Sequence, residues 1–161
     1  MSATLAELLA EHRFFADLDD EFVGVLAACA HEVHVPGGTV LFEEGGPAQA
    51  CWFLRRGRVS VEVRTPRGVA VIATVGPGQV LGWSWLFPPY RWHFDARALE
   101  DLDAIMLDGP CVRARVEADP RLGYELMKRF TELSIQRLQS TRLQLLDLYG
   151  PGHELAEPSD R

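Results

Sequence analysis

The stretch VPGGTVLFEEGGPAQACWFLRRGRVSV, residues 35–61, decides the fold. Short apolar runs of period two are cut by Pro36-Gly37-Gly38, by Gly45-Gly46-Pro47 and by Gly57. Alternation at that period places successive side chains on opposite faces of a strand, and a turn after each run returns the chain antiparallel. RVSVEVR, residues 58–64, is the clearest case: Val59, Val61 and Val63 point one way while Ser60, Glu62 and Arg64 point the other, the pattern of a half-buried strand. VAVIATV follows after TPRG at 65–68, and GPG at 76–78 closes the series. HFDARAL and LDAIMLD supply the last two strands. Many short strands with evenly spaced turns predict a sandwich, barrel or jelly roll.

On the N-terminal side, Leu5, Leu8 and Leu9 share one face of a helix over residues 3–12, with Phe14 and Phe15 as an anchor behind it. Asp19 and Asp20 open a second helix, where an Asp accepts from unpaired backbone N–H groups. Its apolar face carries Phe22, Val25, Leu26 and Cys29. On the C-terminal side, Gly109-Pro110 ends the β module and CVRARVEA forms a short helix. Asp119-Pro120 then starts a helix without a strong breaker to Tyr149, roughly 45 Å long at 1.5 Å per residue. Ile135, Leu138, Arg142, Leu145 and Tyr149 fall at alternating spacings of three and four, a two-heptad seam interrupted by Arg142. The expectation is a parallel homodimer; the alternative is a helix packed on its own β module. The expected division is N-terminal helices at 1–30, a β jelly roll at 31–109, C-terminal helices at 110–149 and a disordered tail at 150–161.

The composition excludes several classes of function. Of 161 residues, 47% are hydrophobic and 24% charged, which suits an ordinary globular domain. The net charge of −7 repels phosphate, so nucleic acid is a disfavoured partner. Cys29, Cys51 and Cys111 are odd in number, with no CxxC spacing. That argues against a disulfide framework and a structural zinc site; three reduced, buried thiols in a cytoplasmic protein are expected. The N-terminus lacks the features of a secretory signal, and no apolar run approaches the ~20 residues of a membrane span. His31 and His34 fall on opposite faces of one strand, so no metal site is expected. Gly82-Trp83-Ser84-Trp85-Leu86 lacks the second glycine of a nucleophile elbow. No other catalytic constellation is present, so no enzyme activity and no cofactor are expected.

The segment VLGWSWLFPPYRWHFDARA, residues 80–98, holds three of the four tryptophans, the Pro88-Pro89 pair and His93. Arg91, His93 and Arg97 with Trp83, Trp85, Tyr90 and Trp92 form a candidate pocket for an anionic or aromatic effector, through guanidinium pairing and stacking. The alternative is that the aromatics fill the cavity themselves while Asp95 neutralises Arg91 or Arg97.

FFADLDDEFVGVLA at 14–27, the stretch at 35–61 and GPGQVLG at 76–82 together resemble the cyclic nucleotide-binding domain of CRP/FNR-type regulators, over about residues 5–149. The resemblance implies a mainly β fold with α: a double-stranded β-helix, or jelly roll, with N-terminal helices and a long C-terminal helix. It also makes residues 80–98 the phosphate-binding cassette. That cassette usually begins Phe-Gly-Glu and, after a short helix, continues Arg-Ser/Thr-Ala. The glycine and helical N–H groups meet the phosphate, the Glu accepts from the ribose hydroxyl, and the Arg pairs with the phosphate charge. Here Gly82 is kept, but Trp83 stands where the Glu belongs. The arginine position falls on Arg91 or Trp92, and the Ser/Thr position on His93 or a neighbour. Gly82, Trp83, Ser84, Arg91, His93 and Arg97 are the candidate ligand contacts.

The expectation is a non-catalytic, cytoplasmic regulatory sensor that does not bind cyclic AMP or cyclic GMP in the usual way. The alternatives are a protein-interaction or assembly module with a self-filled pocket, and a cyclic-nucleotide sensor with an atypical cassette. Eleven or twelve residues follow the long helix, in place of a helix-turn-helix domain, so direct DNA binding is not expected.

Overall fold

The computed structural model describes residues 3–148. They form two units, one up to Leu126 and one from Met127 onward. In the first, α1 (Leu5–Glu11) is followed by a 3-10 turn (Arg13–Phe15) and α2 (Asp20–Ala27). The strands are β1 (Ala30–Val35), β2 (Val40–Phe42), β3 (Ala50–Arg56), β4 (Val59–Thr65), β5 (Gly68–Val75), β6 (Val80–Leu81), β7 (Asp95–Ala98) and β8 (Leu102–Asp108). Then come α3 (Gly109–Ala118) and α4 (Pro120–Leu148). The strands build two four-stranded sheets, β1-β8-β3-β6 and β2-β7-β4-β5, with every pairing antiparallel. Consecutive strands switch sheets repeatedly, so the two sheets close over one core as the predicted jelly roll.

Period-two burial sorts the residues. On β3, Phe53 faces the N-terminal helices, with its ring 5.0 Å from Phe14 and 4.7 Å from Phe15. Its neighbour Trp52 points to the opposite face, between the sheets, 5.7 Å from Phe42. The Phe14–Phe15 anchor is thereby buried as expected. Thr4 caps α1: its hydroxyl accepts from the Glu7 N–H and the Glu7 carboxylate accepts from the Thr4 N–H, each at 3.2 Å.

Three expectations need correction. Asp19 occupies the N-cap of α2 but makes no side-chain cap hydrogen bond; Asp20 and Glu21 in the first turn still complement the helix dipole. β4 is not half-buried along its length, because Ser60 and Glu62 on its outward face are only 3% and 4% exposed. The long side chain of Arg97, opposite Ser60 on β7, reaches back to Glu62. Finally, Cys29 and Cys111 are not free thiols: they are joined in a disulfide with Cα atoms 5.7 Å apart, leaving buried Cys51 as the free cysteine. A sequence separation of 82 conceals that proximity.

Pro120–Leu148 is one helix of 29 residues. Leu122 and Leu126 are buried in the first unit. Within the second unit, Ile135, Leu138 and Leu145 are 51–54% exposed and Arg142 is exposed. Tyr149 and the tail at 150–161 lie outside the described residues.

Candidate functional site

The 80–98 segment starts where β6 ends. Gly82 has φ +83°, a left-handed conformation that suits glycine. It also has a neighbour that excludes a side chain: an added Cβ would lie 2.7 Å and 2.8 Å from the Cη2 and Cζ3 atoms of Trp92. The Trp92 indole is 3% exposed. It stacks on Phe42 with centroids 3.7 Å apart and planes 11° apart, and Trp52 closes the cluster at 6.1 Å. The Gly45-Gly46-Pro47 turn fixes the backbone here. The Trp92 N–H donates to the Gly46 carbonyl at 3.0 Å, and the Gly45 N–H donates to the Trp92 carbonyl at 2.8 Å. The turn glycines thus bring Trp92 into the space above Gly82.

A 3-10 turn, Ser84–Leu86, follows Gly82, with Trp83 and Ser84 half-buried. Trp85 is fully buried, and its indole N–H donates to the Gly82 carbonyl at 3.1 Å. It lies against the start of α3, where a Cβ at Gly109 would come within 2.9 Å of the Trp85 Cβ. Arg113 on α3 fastens the segment. It donates to the Trp85 carbonyl at 2.5 Å, and its guanidinium carbon lies 4.2 Å above the Tyr90 ring centroid, a cation–π contact. Beneath Trp85, burial pushes the Cys51 thiol far above the usual thiol range despite hydrogen bonding to Trp85. The thiol is fully buried and out of reach of solvent.

The charged residues do not converge. Arg97 points away from the core face carried by its buried neighbours Ala96 and Ala98. Its Nη2 donates to both carboxylate oxygens of Glu62, at 2.9 Å to Oε2 and in close contact with Oε1. This hydrogen bonding, then the Glu62 charge, raises the Arg97 pKa further. Arg91 is exposed and donates to the Gly45 carbonyl at 3.2 Å. His93 is exposed. Asp95 pairs with neither predicted arginine: it lies 3.2 Å from Arg64 and accepts from the Glu44 N–H at 2.7 Å. Of the six candidate contacts, Gly82, Trp83 and Ser84 stay together at the cassette start, while Arg91, His93 and Arg97 do not face Gly82 as a group. Of the two residues, Arg91 and Trp92, Trp92 is the one that stands against Gly82. Sequence reasoning did not identify Phe42 and Trp52 as walls of this cluster. Nor did it identify Arg113, which nothing in CVRARVEA distinguishes from its neighbours.

His31 and His34 fall at opposite-facing positions of β1, and His34 instead lies 2.8 Å from Asp103 on β8. That contact holds the Asp103 carboxyl below its usual pKa, chiefly through the hydrogen bond to His34. Among the described residues, no group of three or more His, Cys, Asp or Glu is placed to hold a metal ion. No described helix is long and apolar enough to cross a membrane.

The cyclic nucleotide-binding domain model matches residues 32–119. No curated protein matches the chain. Among solved structures, the chain is similar to a protein of Geobacter metallireducens GS-15 named for cyclic nucleotide binding, at 30% identity and a TM-score of 0.76, with 86% of this chain and 99% of that one covered. It is similar to the N-terminal domain of a transcriptional regulator from Streptomyces coelicolor A3(2), at 27% identity and a TM-score of 0.65, covering 86% and 94%. A cyclic nucleotide-binding domain from Methylobacillus flagellatus shares the fold at 22% identity and a TM-score of 0.75, covering 89% and 82%. With the jelly roll and the glycine-led segment between β6 and β7, the match over 32–119 shows that this chain belongs to the cyclic nucleotide-binding domain family.

Proposed function

We propose that this protein is a non-catalytic regulatory module whose nucleotide pocket is closed by its own Trp92. One observation carries the reading: the Trp92 indole lies against Gly82 and stacks on Phe42 where the family resemblance puts the phosphate and its arginine. A cyclic nucleotide would have to displace a buried indole, and it would find Trp83 in place of the carboxylate that accepts its ribose hydroxyl. Leaving that hydroxyl buried and unpaired costs about 1–3 kcal/mol before any steric term. The anionic-effector reading is weaker, because Arg97 is taken by Glu62 and Arg91 turns to the Gly45 carbonyl.

The output in this reading is self-association. Ile135, Leu138 and Leu145 present an exposed apolar stripe at heptad spacing, which a second copy in parallel would bury. Titration calorimetry with cyclic AMP and cyclic GMP tests the pocket. The wild type is expected to give no binding heat, and the Trp83→Glu/Trp92→Arg double variant to gain it. Micromolar binding by the wild type would overturn the reading. Analytical ultracentrifugation tests the output: Leu138→Glu is expected to convert a dimer to monomer, and a monomeric wild type would remove the seam.

A further inference from the structure

We infer that the Cys29–Cys111 disulfide is a redox-active site, opened by a dithiol reductant, that controls how firmly α3 holds the 82–90 segment. The bond joins two parts of the molecule with different jobs. Cys29 follows α2 at the entrance to β1, is 2% exposed, and its carbonyl accepts from the Asp108 N–H at 2.9 Å. Cys111 is the third residue of α3 and is half-buried, the more exposed of the two cysteines, which makes it the side from which a reductant approaches. Two residues further along the same helix, Arg113 grips the Trp85 carbonyl and the Tyr90 ring. Gly109, two residues before the cysteine, packs under Trp85. The start of α3 is therefore fixed from both sides, covalently to the chain between α2 and β1 and non-covalently to the 82–90 segment. This inference does not depend on whether the cassette binds a ligand.

The exchange is balanced as follows. A thiolate of the dithiol attacks Sγ of Cys111; the protein S–S bond breaks, and Cys29 leaves as a thiolate that takes up a proton. The second thiol of the reductant then attacks the mixed disulfide, closes its own disulfide and expels Cys111. The dithiol is oxidised by two electrons and the protein gains two electrons and two protons. The geometry favours the second departure: a Cys111 thiolate would sit in the first turn of α3, where backbone N–H groups stabilise negative charge. The Asp108 carboxylate, which accepts from the Cys111 N–H at 2.8 Å, opposes this.

The test uses the whole chain purified without reductant. Alkylation in denaturant should modify one cysteine, and three after dithiothreitol; modification of all three without dithiothreitol would overturn the inference. Hydrogen exchange of the folded protein then reads the coupling. After dithiothreitol, amides of 82–90 and 109–118 are expected to exchange roughly tenfold faster while those of β4 are unchanged. The Cys51→Ala variant should respond like the wild type, whereas Cys29→Ser/Cys111→Ser should show the fast exchange with or without dithiothreitol. Unchanged exchange at 82–90 on reduction, or a folded protein whose disulfide resists dithiothreitol, would overturn it.

Discussion

Truncating Trp92 to alanine tests the central geometry. The indole is 3% exposed, stacked on Phe42 at 3.7 Å and packed against Gly82, so its removal takes a large apolar surface out of a close-packed cluster. An aromatic of this kind buries on the order of 200 Å², worth about 5 kcal/mol at ~25 cal/mol/Å² as an upper bound. Measured Phe and Trp truncations in cores cost about 3–5 kcal/mol, which is the expected loss here. Domain stabilities run about 5–15 kcal/mol, so the variant should fold but with a much lower urea midpoint, followed by circular dichroism because the substitution alters the fluorescence. The hole would be lined by Phe42, Trp52 and the Gly82 backbone, an apolar site shaped for a flat ring. Added indole should therefore restore stability to Trp92→Ala, by about 2.7 kcal/mol at a hundredfold excess over its dissociation constant, and leave the wild type unchanged. A loss below about 1 kcal/mol would mean that Trp92 is not packed as described. Equal stabilisation of both proteins by indole would mean that the pocket is already open.

Other perturbations separate the remaining interactions. Gly82→Ala combines left-handed backbone strain with a Cβ at 2.7 Å from Trp92, so it should lower the urea midpoint. In the Trp92→Ala background the steric part vanishes and the two losses should add to less than their sum, as a double-mutant cycle would show. Arg97→Ala removes both the partner and the cover of the Glu62 carboxylate, which is 5% exposed beneath it, so the carboxylate regains water and the loss should stay within about 1–3 kcal/mol in the same urea assay; a larger loss would mean that other groups keep Glu62 buried. His12 is 7% exposed, accepts from the Phe14 N–H through Nδ1, and has its pKa lowered from 6.5, chiefly by burial. The folded state thus binds this proton less readily than the unfolded chain. The His12 contribution should be flat above about pH 6.5 and lost as the pH falls toward the lowered folded value. His12→Asn keeps a cap acceptor without the titration, and its melting temperature should vary less between those limits than that of the wild type.

The jelly roll was legible because the local signals agree: apolar residues alternate, and glycine or proline stands at each return of the chain. What covers the outer face of a strand was not legible. Ser60, Glu62 and Arg64 look equally exposed in an alternating pattern, yet Glu62 is buried because Arg97, a residue 35 positions away, lies over it. The glycine that opens the 80–98 segment is visible in the sequence, but adjacent Arg91 and Trp92 competed for one position; that Trp92 meets Gly82 follows only from the close approach that the Gly45-Gly46 turn imposes. The disulfide was missed for a related reason. Cysteine number and spacing describe the chain, whereas bonding depends on the end of α2 and the start of α3 meeting beside β8, where the Asp108 N–H reaches the Cys29 carbonyl.

On the proposed reading, in which Trp92 fills the cassette, a general rule limits how the module responds. A ligand moves a two-state element only by its difference in affinity for the two states. Trp92 is covalently part of the chain, always present, and favours the packed arrangement at all times, so it supplies no variable input. An input must instead act on whatever holds the packed arrangement in place. In the first unit that hold is α3, through Arg113 on Trp85 and Tyr90, and α3 in turn is tied through Cys111. Changing Arg113 to Lys separates the two holds, since an ammonium keeps the charge over Tyr90 but loses the planar fork and its fixed donor directions. If α3 is the point of control, Arg113→Lys in the oxidised protein should speed exchange at 82–90 toward the rate of the reduced wild type. Reducing the variant should then add little further change. Full additivity of the two effects would show that the disulfide and Arg113 act on the cassette by independent routes, and the single-lever account would be abandoned.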